Sequence, residues 1–526
     1  MSVLRKSFLF SLSIFLLGAG MYSYRLLWGG GGRPAPETLD DYWAETGIGF
    51  KEFRQVVSPE NCRLSPKHFL ACVNAANAAA ARLQLTLELS GRIVARESHH
   101  ASSEREFLTP FKDKVEQDPS FLEAIHFDTV LSRLEQLAQT ARMTAPVAAA
   151  GINGFLSIYR DPHTYIIPIN FYRDVVAKSA YNSMAIGFIL DRLNDGQFVL
   201  RKVIQGSSAE RYGLRTGDLL LSVNGRPVKG LTMEQVTERL RAKPGDYTKL
   251  TLQRGSVTRE VRILREEKPF PTVASRVQMG EKRIGILSVT KFARDTCAMM
   301  KKELQGLREA SIQGLILDLR DNSGGLMREA ACAIGLFTGP GKKAFEVRFL
   351  NPALSPEIVT TDNEQVYSGR IAVLINRGSA SAAEILAGAL REHRGAVLVG
   401  ERSFGKGSFQ EPEVWSLNDK VALFSTKGFY LLPSRSSTQL NGLEPDYEVG
   451  VPGLKAESER LTYMFPLVPQ EIHRASLPSN RMKKSAFDES GNCFSWEFEN
   501  LDEQVLRAGQ VLMCGAAMTG GILDRN

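Results

Sequence analysis

The sequence predicts a mixed α/β architecture: a layered core, a compact α+β module before it, and a mostly helical N-terminal region. Three observations carry this. From about residue 282, short apolar runs alternate with helical spacing, the mark of a largely parallel sheet with helices packed on it. Between about 185 and 267 the strands are short, the turn signals close together, and a single helical stretch lies among them. From 37 to 184, apolar residues recur mainly at helical spacing. At 526 residues the chain exceeds one ordinary core. Its composition, 43% hydrophobic and 23% charged, is that of a folded chain. A net charge of +7 is mild at this length. With no cluster of Lys and Arg interleaved with aromatics, no nucleic-acid partner is expected.

The N-terminus reads as an export segment. Arg5 and Lys6 precede an apolar run from Phe8 to Tyr24, and a Gly29–Gly32 tract followed by Arg33-Pro34-Ala35-Pro36 ends it. A charged region followed by an apolar one is a secretory signal. The run is slightly short of the roughly 20 residues a relaxed span needs, and no A-x-A site follows it. Residues 1–28 are therefore read as either a cleaved signal peptide or a retained anchor that would associate with a membrane, and 29–36 as a linker. Export permits disulfides. Cys62/Cys72 and Cys493/Cys514 are near pairs in sequence. Cys297 shares a helical face with Met300, Leu304 and Leu307, as a buried free thiol also would. No C-x-x-C or Cys/His ligand spacing occurs, so neither a metal nor another cofactor is expected.

In the region 37–184, Asn74–Arg82 and Phe121–Ala141 carry helical spacing. Ile152-Asn153-Gly154-Phe155-Leu156 follows, then Asp161-Pro162-His163-Thr164. A histidine beside a proline turn is read as structural rather than catalytic. In the module 185–267, Phe198-Val199-Leu200, Lys249–Arg254 and the alternating Val261/Ile263 read as strands, and Thr232–Ala242 as a helix. Ala185-Ile186-Gly187-Phe188 at its start resembles the G-L-G-F carboxylate loop of PDZ domains. Its successive N–H groups can form a nest for a peptide C-terminus while the peptide adds as a strand beside the helix. Ile186, Gly187 and Phe188 are the candidate contacts. The later Ser207-Ser208-Ala209-Glu210 and Gly213-Leu214-Arg215-Thr216-Gly217-Asp218 strengthen the likeness.

In the core, 268–450, three apolar β-runs each end in an unusual loop. Leu315–Leu319 leads into Arg320-Asp321-Asn322-Ser323-Gly324-Gly325. Ile371–Ile375 leads into Asn376-Arg377-Gly378-Ser379-Ala380-Ser381. Ala396–Val399 leads into Gly400-Glu401-Arg402-Ser403-Phe404-Gly405-Lys406-Gly407. Parallel neighbours would bring all three loops to the carboxyl edge of the sheet, where α/β folds keep their sites. Singly, each has a plain explanation. Ser381 with Glu384 is a capping box before the helix Ala382–His393, worth about 1 kcal/mol. Lys406 could be a surface lysine, and Gly324-Gly325 a turn. The functional reading comes from their coincidence.

Rival motifs fail on particular residues. Gly400 to Lys406 matches G-x-x-x-x-G-K, but Gly407 stands where a P-loop needs Ser or Thr, and Ser408–Trp415 does not read as a helix. Ser288-Val289-Thr290-Lys291 matches S-x-x-K without S-D-N or K-T-G partners. Ser381 has no G-x-S-x-G elbow, and His393 lies about 18 Å along the same helix. A lysine is the better base: its amine, near 10.4 in water, becomes usable once burial lowers it by roughly three units.

These motifs resemble the C-terminal processing peptidases, also called tail-specific proteases, over about Ile152 to Val449. The likeness spans I-N-G-F-L-S with D-P-H-T, the PDZ-like module, L-D-L-R-D-N-S-G-G, S-A-S-A-A-E, V-G-E-R-S-F-G-K-G-S-F-Q and Gly442-Leu443-Glu444-Pro445-Asp446. It implies a ClpP/crotonase-like α/β protease core with a PDZ-like domain, and a serine endopeptidase acting on exported polypeptides with accessible C-termini in the bacterial periplasm or cell envelope. It further implies Ser381 rather than Ser379 as nucleophile, Lys406 as base, Gln410 to orient it, and N–H groups of Gly324 and Ala382 as the oxyanion hole. Ala383 departs from the usual serine of S-A-S-A-S-E. The extension 451–526 carries no motif. An adaptor protein and self-association stay open, and a catalytically inactive PDZ-containing scaffold is the competing class.

Overall fold

The computed structural model describes residues 39–96, 103–173, 181–182, 187–231, 233–240, 245–265, 270–278, 282–450, 458–469 and 503–518. The export segment, Ile186 and Cys493 lie outside these residues. Among the described residues no helix is long and apolar enough to cross a membrane.

The N-terminal region is built on α1 (Pro66–Ala81), α2 (Glu104–Gln117) and α3 (Thr144–Tyr159). Alanines along α1 and a glycine in α3 let the two helices approach closely. A Cβ at Gly154 would sit 2.7 Å from Ala78 Cβ and 2.8 Å from Asn74 O. Ile152–Leu156 is thus the interior of a helix, chosen for packing. The apolar run 121–141 is broken: Pro119–Glu123 is a short 3₁₀ turn, and the α-helix proper is Phe127–Thr140. Pro119 opens the turn, and Asp118 caps it by accepting from Ser120 N–H. The region also holds strand β1 (Tyr165–Pro168), which pairs with Val421–Phe424 of the core, so the polypeptide before 184 is continuous with the core sheet.

The module comprises β2 (Phe188–Arg192), β3 (Phe198–Val203), β4 (Leu219–Val223), α4 (Met233–Leu240), β5 (Tyr247–Arg254) and β6 (Val257–Leu264). Strand order is β6-β5-β4-β3-β2, leaving β2 at an edge. Phe188, Phe198, Leu200, Leu220, Val236, Leu250 and Ile263 share one small core.

The core contains two sheets. The first runs β7 (Val273–Gln278), β8 (Ile284–Val289), β9 (Gly314–Asp318), β12 (Ile371–Ile375), β13 (Val397–Gly400) and β16 (Tyr447–Glu448), parallel from β8 onward. The second is built from β10 (Lys343–Phe349), β11 (Glu357–Thr360), β14 (Ser408–Trp415) and β15 (Asn418–Leu431), with β1 on the far side of β15. Side chains alternate across a strand, and both faces of the parallel sheet are covered, which is why its strands read as unbroken apolar runs. Leu315 and Leu317 face α5 (Thr296–Glu309), α6 (Met327–Thr338) and α7 (Ala382–Arg394). Ile316, Ala372 and Leu374 face α9 (Glu503–Met518), which packs Val505, Ala508 and Leu512 on them. The motif-free extension thus closes the second face of the sheet with α9, and it also holds a shorter helix, α8 (Glu459–Thr462).

Cys62 and Cys72 are bonded, with Cα atoms 5.8 Å apart. Cys297 is not a free thiol: it is bonded to Cys332 on α6, with Cα atoms 5.9 Å apart. A helical face buries a half-cystine as readily as a thiol, so the face alone did not separate them.

Candidate active site

In the parallel register Leu317 faces Val373, and Val373 faces Leu398. The loops after β9, β12 and β13 therefore leave the same sheet edge side by side, as expected. Ser379 and Ser381 part company there. Ser379 is fully buried and locked into the loop, its Oγ 2.8 Å from Leu319 O and accepting from Asn376 N–H at 3.0 Å. Ser381 stands immediately before α7 with φ 55° and ψ −118°. This is a left-handed backbone that costs a non-glycine residue about 1–3 kcal/mol.

Lys406 is 2% exposed. Its Nζ donates to Ser408 O and to Gln410 Oε1, both at 2.9 Å. Gln410 Nε2 donates to Ser408 Oγ (3.2 Å) and Thr426 Oγ1 (3.1 Å), and Thr426 donates to Asp161 Oδ1 at 2.7 Å. Gln410 is thereby oriented from both ends, and Asp161 of the D-P-H-T turn anchors the chain. Burial pulls the lysine amine down to about 8, opposed by the charges of Glu459, Asp161 and Glu384. The flanking glycines permit this burial: a Cβ at Gly405 would lie 2.8 Å from Gly442 N, and one at Gly407 would lie 2.7 Å from Gln439 N.

Glu384 does more than cap a helix. Its fully buried carboxylate accepts from Ser381 N–H and Lys406 N–H through Oε2, and from Gly405 N–H through Oε1, each at 2.9 Å. Ser403 Oγ donates to Oε1 as well. One carboxylate therefore ties the backbone of the serine to that of the lysine. Burial pushes this carboxyl up to about 7 against those four donors. Tyr430 makes a second tie, its hydroxyl 2.7 Å from Lys406 O and 3.4 Å from Ser381 O. Sequence spacing presented Glu384 only as a cap and gave Tyr430 no signal.

Gly324 lies against the serine: a Cβ on it would be 2.8 Å from Ser381 Cβ and 3.0 Å from Ala382 N. Ala382 opens α7, so its N–H is one that no turn of the helix can satisfy. Gly324 N–H, however, donates to Asn322 Oδ1 at 2.9 Å. As an oxyanion donor it would first have to leave that acceptor.

His163 lies far from a free-ring role. It is 8% exposed, and its Nε2 is 2.9 Å from both oxygens of Glu459, which is itself fully buried. Glu459 belongs to α8, in the extension that carried no motif. His393 is bonded at Nε2 to Lys343 O at the far end of α7.

In the module, Gly187 has φ 95°, and its carbonyl accepts from Ile204 N–H (2.8 Å) and Ser207 Oγ (3.1 Å). The Phe188 side chain is buried in the module core, so only its backbone lies at the edge formed by β2. The module sits on the core loops. Lys202 Nζ, nearly buried, donates to Arg320 O at 2.6 Å and pairs with Asp318 at 3.3 Å. Arg201 pairs with Asp321 at 2.9 Å, and Arg377 with Asp191. Burial pushes the Asp318 carboxyl up, but the charges of Arg320 and Lys202 hold it below the usual carboxylate range.

Residues 283–449, which contain all three loops, match peptidase family S41, and residues 199–254 match the PDZ domain. Residues 283–449 are a peptidase family S41 domain. The chain is 28% identical over 309 residues to a probable CtpA-like serine protease of Staphylococcus aureus, covering 58% of this chain and 60% of that one. It is 33% identical over 259 residues to the carboxy-terminal processing protease CtpA of Bacillus subtilis, covering 49% and 54% respectively. It thus spans a little over half the length of these relatives. Among solved structures, the photosystem II D1 C-terminal processing protease aligns with 60% of this chain and 86% of its own, at 23% identity and a TM-score of 0.40. The S41 domain includes Ser381, Lys406, Gln410 and Glu384. Asp161, His163 and Glu459 lie outside its matched span.

Proposed function

We propose that this protein is a serine endopeptidase of the C-terminal processing type, in which Ser381 is the nucleophile and Lys406 the general base. The observation that carries this reading is the buried lysine, brought to about 8 and fixed to the serine's backbone through Glu384. Neutral Lys406 takes the Ser381 hydroxyl proton as Oγ attacks the scissile carbonyl. The resulting ammonium returns that proton to the leaving amine, and water then releases the acyl group. Gln410 keeps the amine aimed, and the N–H at the start of α7 receives the developing oxyanion with the help of the helix dipole. Substrates are exported polypeptides whose C-termini add to the edge of β2 beside α4, with Gly187 N–H at the terminal carboxylate. The protein works in the bacterial cell envelope, reached through its N-terminal segment.

Purified Ser381→Ala and Lys406→Ala should each lose cleavage of an unfolded casein while keeping the wild-type unfolding midpoint. Undiminished cleavage by the serine variant refutes the nucleophile assignment. Wild-type protein that binds C-terminal peptides yet cleaves nothing would favour the scaffold class. Envelope proteins accumulating in a Ser381→Ala strain, identified by mass spectrometry, would name the substrates.

A further inference from the structure

The segment 458–467 carries no sequence motif and lies beyond the S41 match, yet it contacts the lysine loop directly and through Gln439. Glu459 N–H donates to Phe404 O at 2.9 Å, two residues before Lys406. Tyr463 packs with Phe404 and Ala380 in a small buried cluster that flanks the serine and lysine loops. Gln439 bridges the two parts: its Nε2 donates to Glu459 Oε1 (3.3 Å) and to Leu467 O (2.9 Å), while its Oε1 accepts from Gly407 N–H at 2.7 Å. The other end is pinned to the N-terminal helices, where Arg105 donates to Tyr463 O (3.1 Å) and Met464 N–H donates to Glu104 (3.3 Å).

A fully buried carboxylate needs a reason to be there, because desolvation alone disfavours it. Glu459 has His163 Nε2 against both its oxygens. A helix cap would not need this depth, and Ser458 already caps α8 by accepting from Leu461 N–H. We propose that Glu459, held by His163, is a positioning residue for Lys406: it fixes the lysine loop and sets a buried negative charge beside it. The inference rests on the Ser381–Lys406 reading above. It accounts for the D-P-H-T turn as well, since Asp161 reaches the same lysine through Thr426 and Gln410, and His163 reaches it through Glu459.

The charges that act on the amine are Glu459 from α8, Asp161 from the turn before β1 and Glu384 from α7, while His163 bonds to Glu459, Tyr430 from β15 to the lysine's backbone carbonyl, and Tyr463 after α8 packs on Phe404. Burial lowers the Lys406 amine, and Glu459 is the first of the charges that raise it again, followed by Asp161 and Glu384. Both tyrosine hydroxyls are pushed far up by burial and stay neutral. A negative charge favours the ammonium, so removing it makes the lysine easier to deprotonate.

The test is the pH dependence of kcat/KM on a fluorogenic peptide for wild type, Glu459→Gln and Asp161→Asn. The glutamine keeps the shape and one acceptor oxygen but not the charge. Each variant should move the acidic limb to lower pH by about half a unit to one unit, with a smaller plateau from the loosened loop. A Glu459→Gln profile that falls in height with an unmoved limb overturns the inference, because a merely structural role lowers activity without moving the limb. If Glu459→Gln fails to fold, Asp161→Asn carries the same expectation. Failure of both to fold also overturns it, since loss of charge alone would then not be what matters. These outcomes separate from failure of the dyad itself, which would appear as retained activity in Lys406→Ala whatever the position of the limb.

Discussion

Lys406→Met should abolish activity, and its stability relative to wild type should fall as pH rises. The lysine is 2% exposed and its amine falls to about 8 from 10.5. Near pH 7 the folded protein must therefore keep an ammonium that its surroundings disfavour. At about 1.4 kcal/mol per pH unit, that difference is worth about 3 kcal/mol against folding. Methionine removes the penalty and fills similar volume, but leaves Ser408 O and Gln410 Oε1 without their donor, a loss of about 1–3 kcal/mol for each. At pH 7 the two effects leave the methionine variant between about 1 kcal/mol more stable and about 3 kcal/mol less stable than wild type. The sign with pH follows from linkage. Between about 8 and 10.5 the unfolded chain still binds the proton that the folded one has released, so wild-type stability rises with pH. Between pH 7 and pH 10 the stability of the methionine variant relative to wild type should fall by about 2–3 kcal/mol. The assay is urea unfolding at both pH values, without reductant and in a Ser381→Ala background so that self-digestion cannot intervene. A difference between the two proteins that does not change with pH would refute the buried, depressed amine, and with it the reason for assigning Lys406 as base.

The remaining expectations follow from the same geometry. In wild type, kcat/KM should rise about tenfold per pH unit below pH ~8 and level off above it, because only neutral Lys406 can accept the serine proton; a flat profile from pH 6 to 9 would contradict this. Glu384→Gln sets an amide NH₂ among four donors, so at least one buried N–H loses its acceptor. Stability should fall by about 1–3 kcal/mol and cleavage by at least about tenfold, measured by thermal unfolding and peptide kinetics. Replacing both Cys297 and Cys332 by alanine releases a loop of 35 residues. Urea unfolding should register a loss of about 3–4 kcal/mol. Lys202→Met leaves Asp318 to Arg320 alone and deprives Arg320 O of its donor. Hydrogen exchange in β3 should quicken as the module loosens from the core, and unchanged exchange would show that this contact does not hold it.

How much of this was legible in sequence depends on whether a residue's partner lies nearby in the chain. The parallel sheet was legible because burial on both faces writes itself into consecutive residues: Leu315-Ile316-Leu317 supplies two opposite cores with no polar interruption. The loop edge followed from strand direction alone, whereas the burial of Lys406 shows only in the structure, where Gly405 and Gly407 admit close backbone contact. The Cys297–Cys332 bond was not legible, because it joins two helices through a contact that neither helical face specifies. Nor were Tyr430 and Glu459, whose partners lie dozens or hundreds of residues away. Glu384 is the instructive case. Three residues after Ser381, it fits a capping box so well that local spacing closes the question, and the Ser381 N–H does donate to it. Yet the same carboxylate spends its other lone pairs on Ser403, Gly405 and Lys406. A cap is satisfied at the helix surface and needs no burial; this one is fully buried and spans the two loops that carry the proposed nucleophile and base. A solvated cap could be exchanged for aspartate or glutamine at little cost. A carboxylate that must accept four bonds from two loops at once could not, and this is the physical reason for a glutamate at that position of S-A-S-A-A-E.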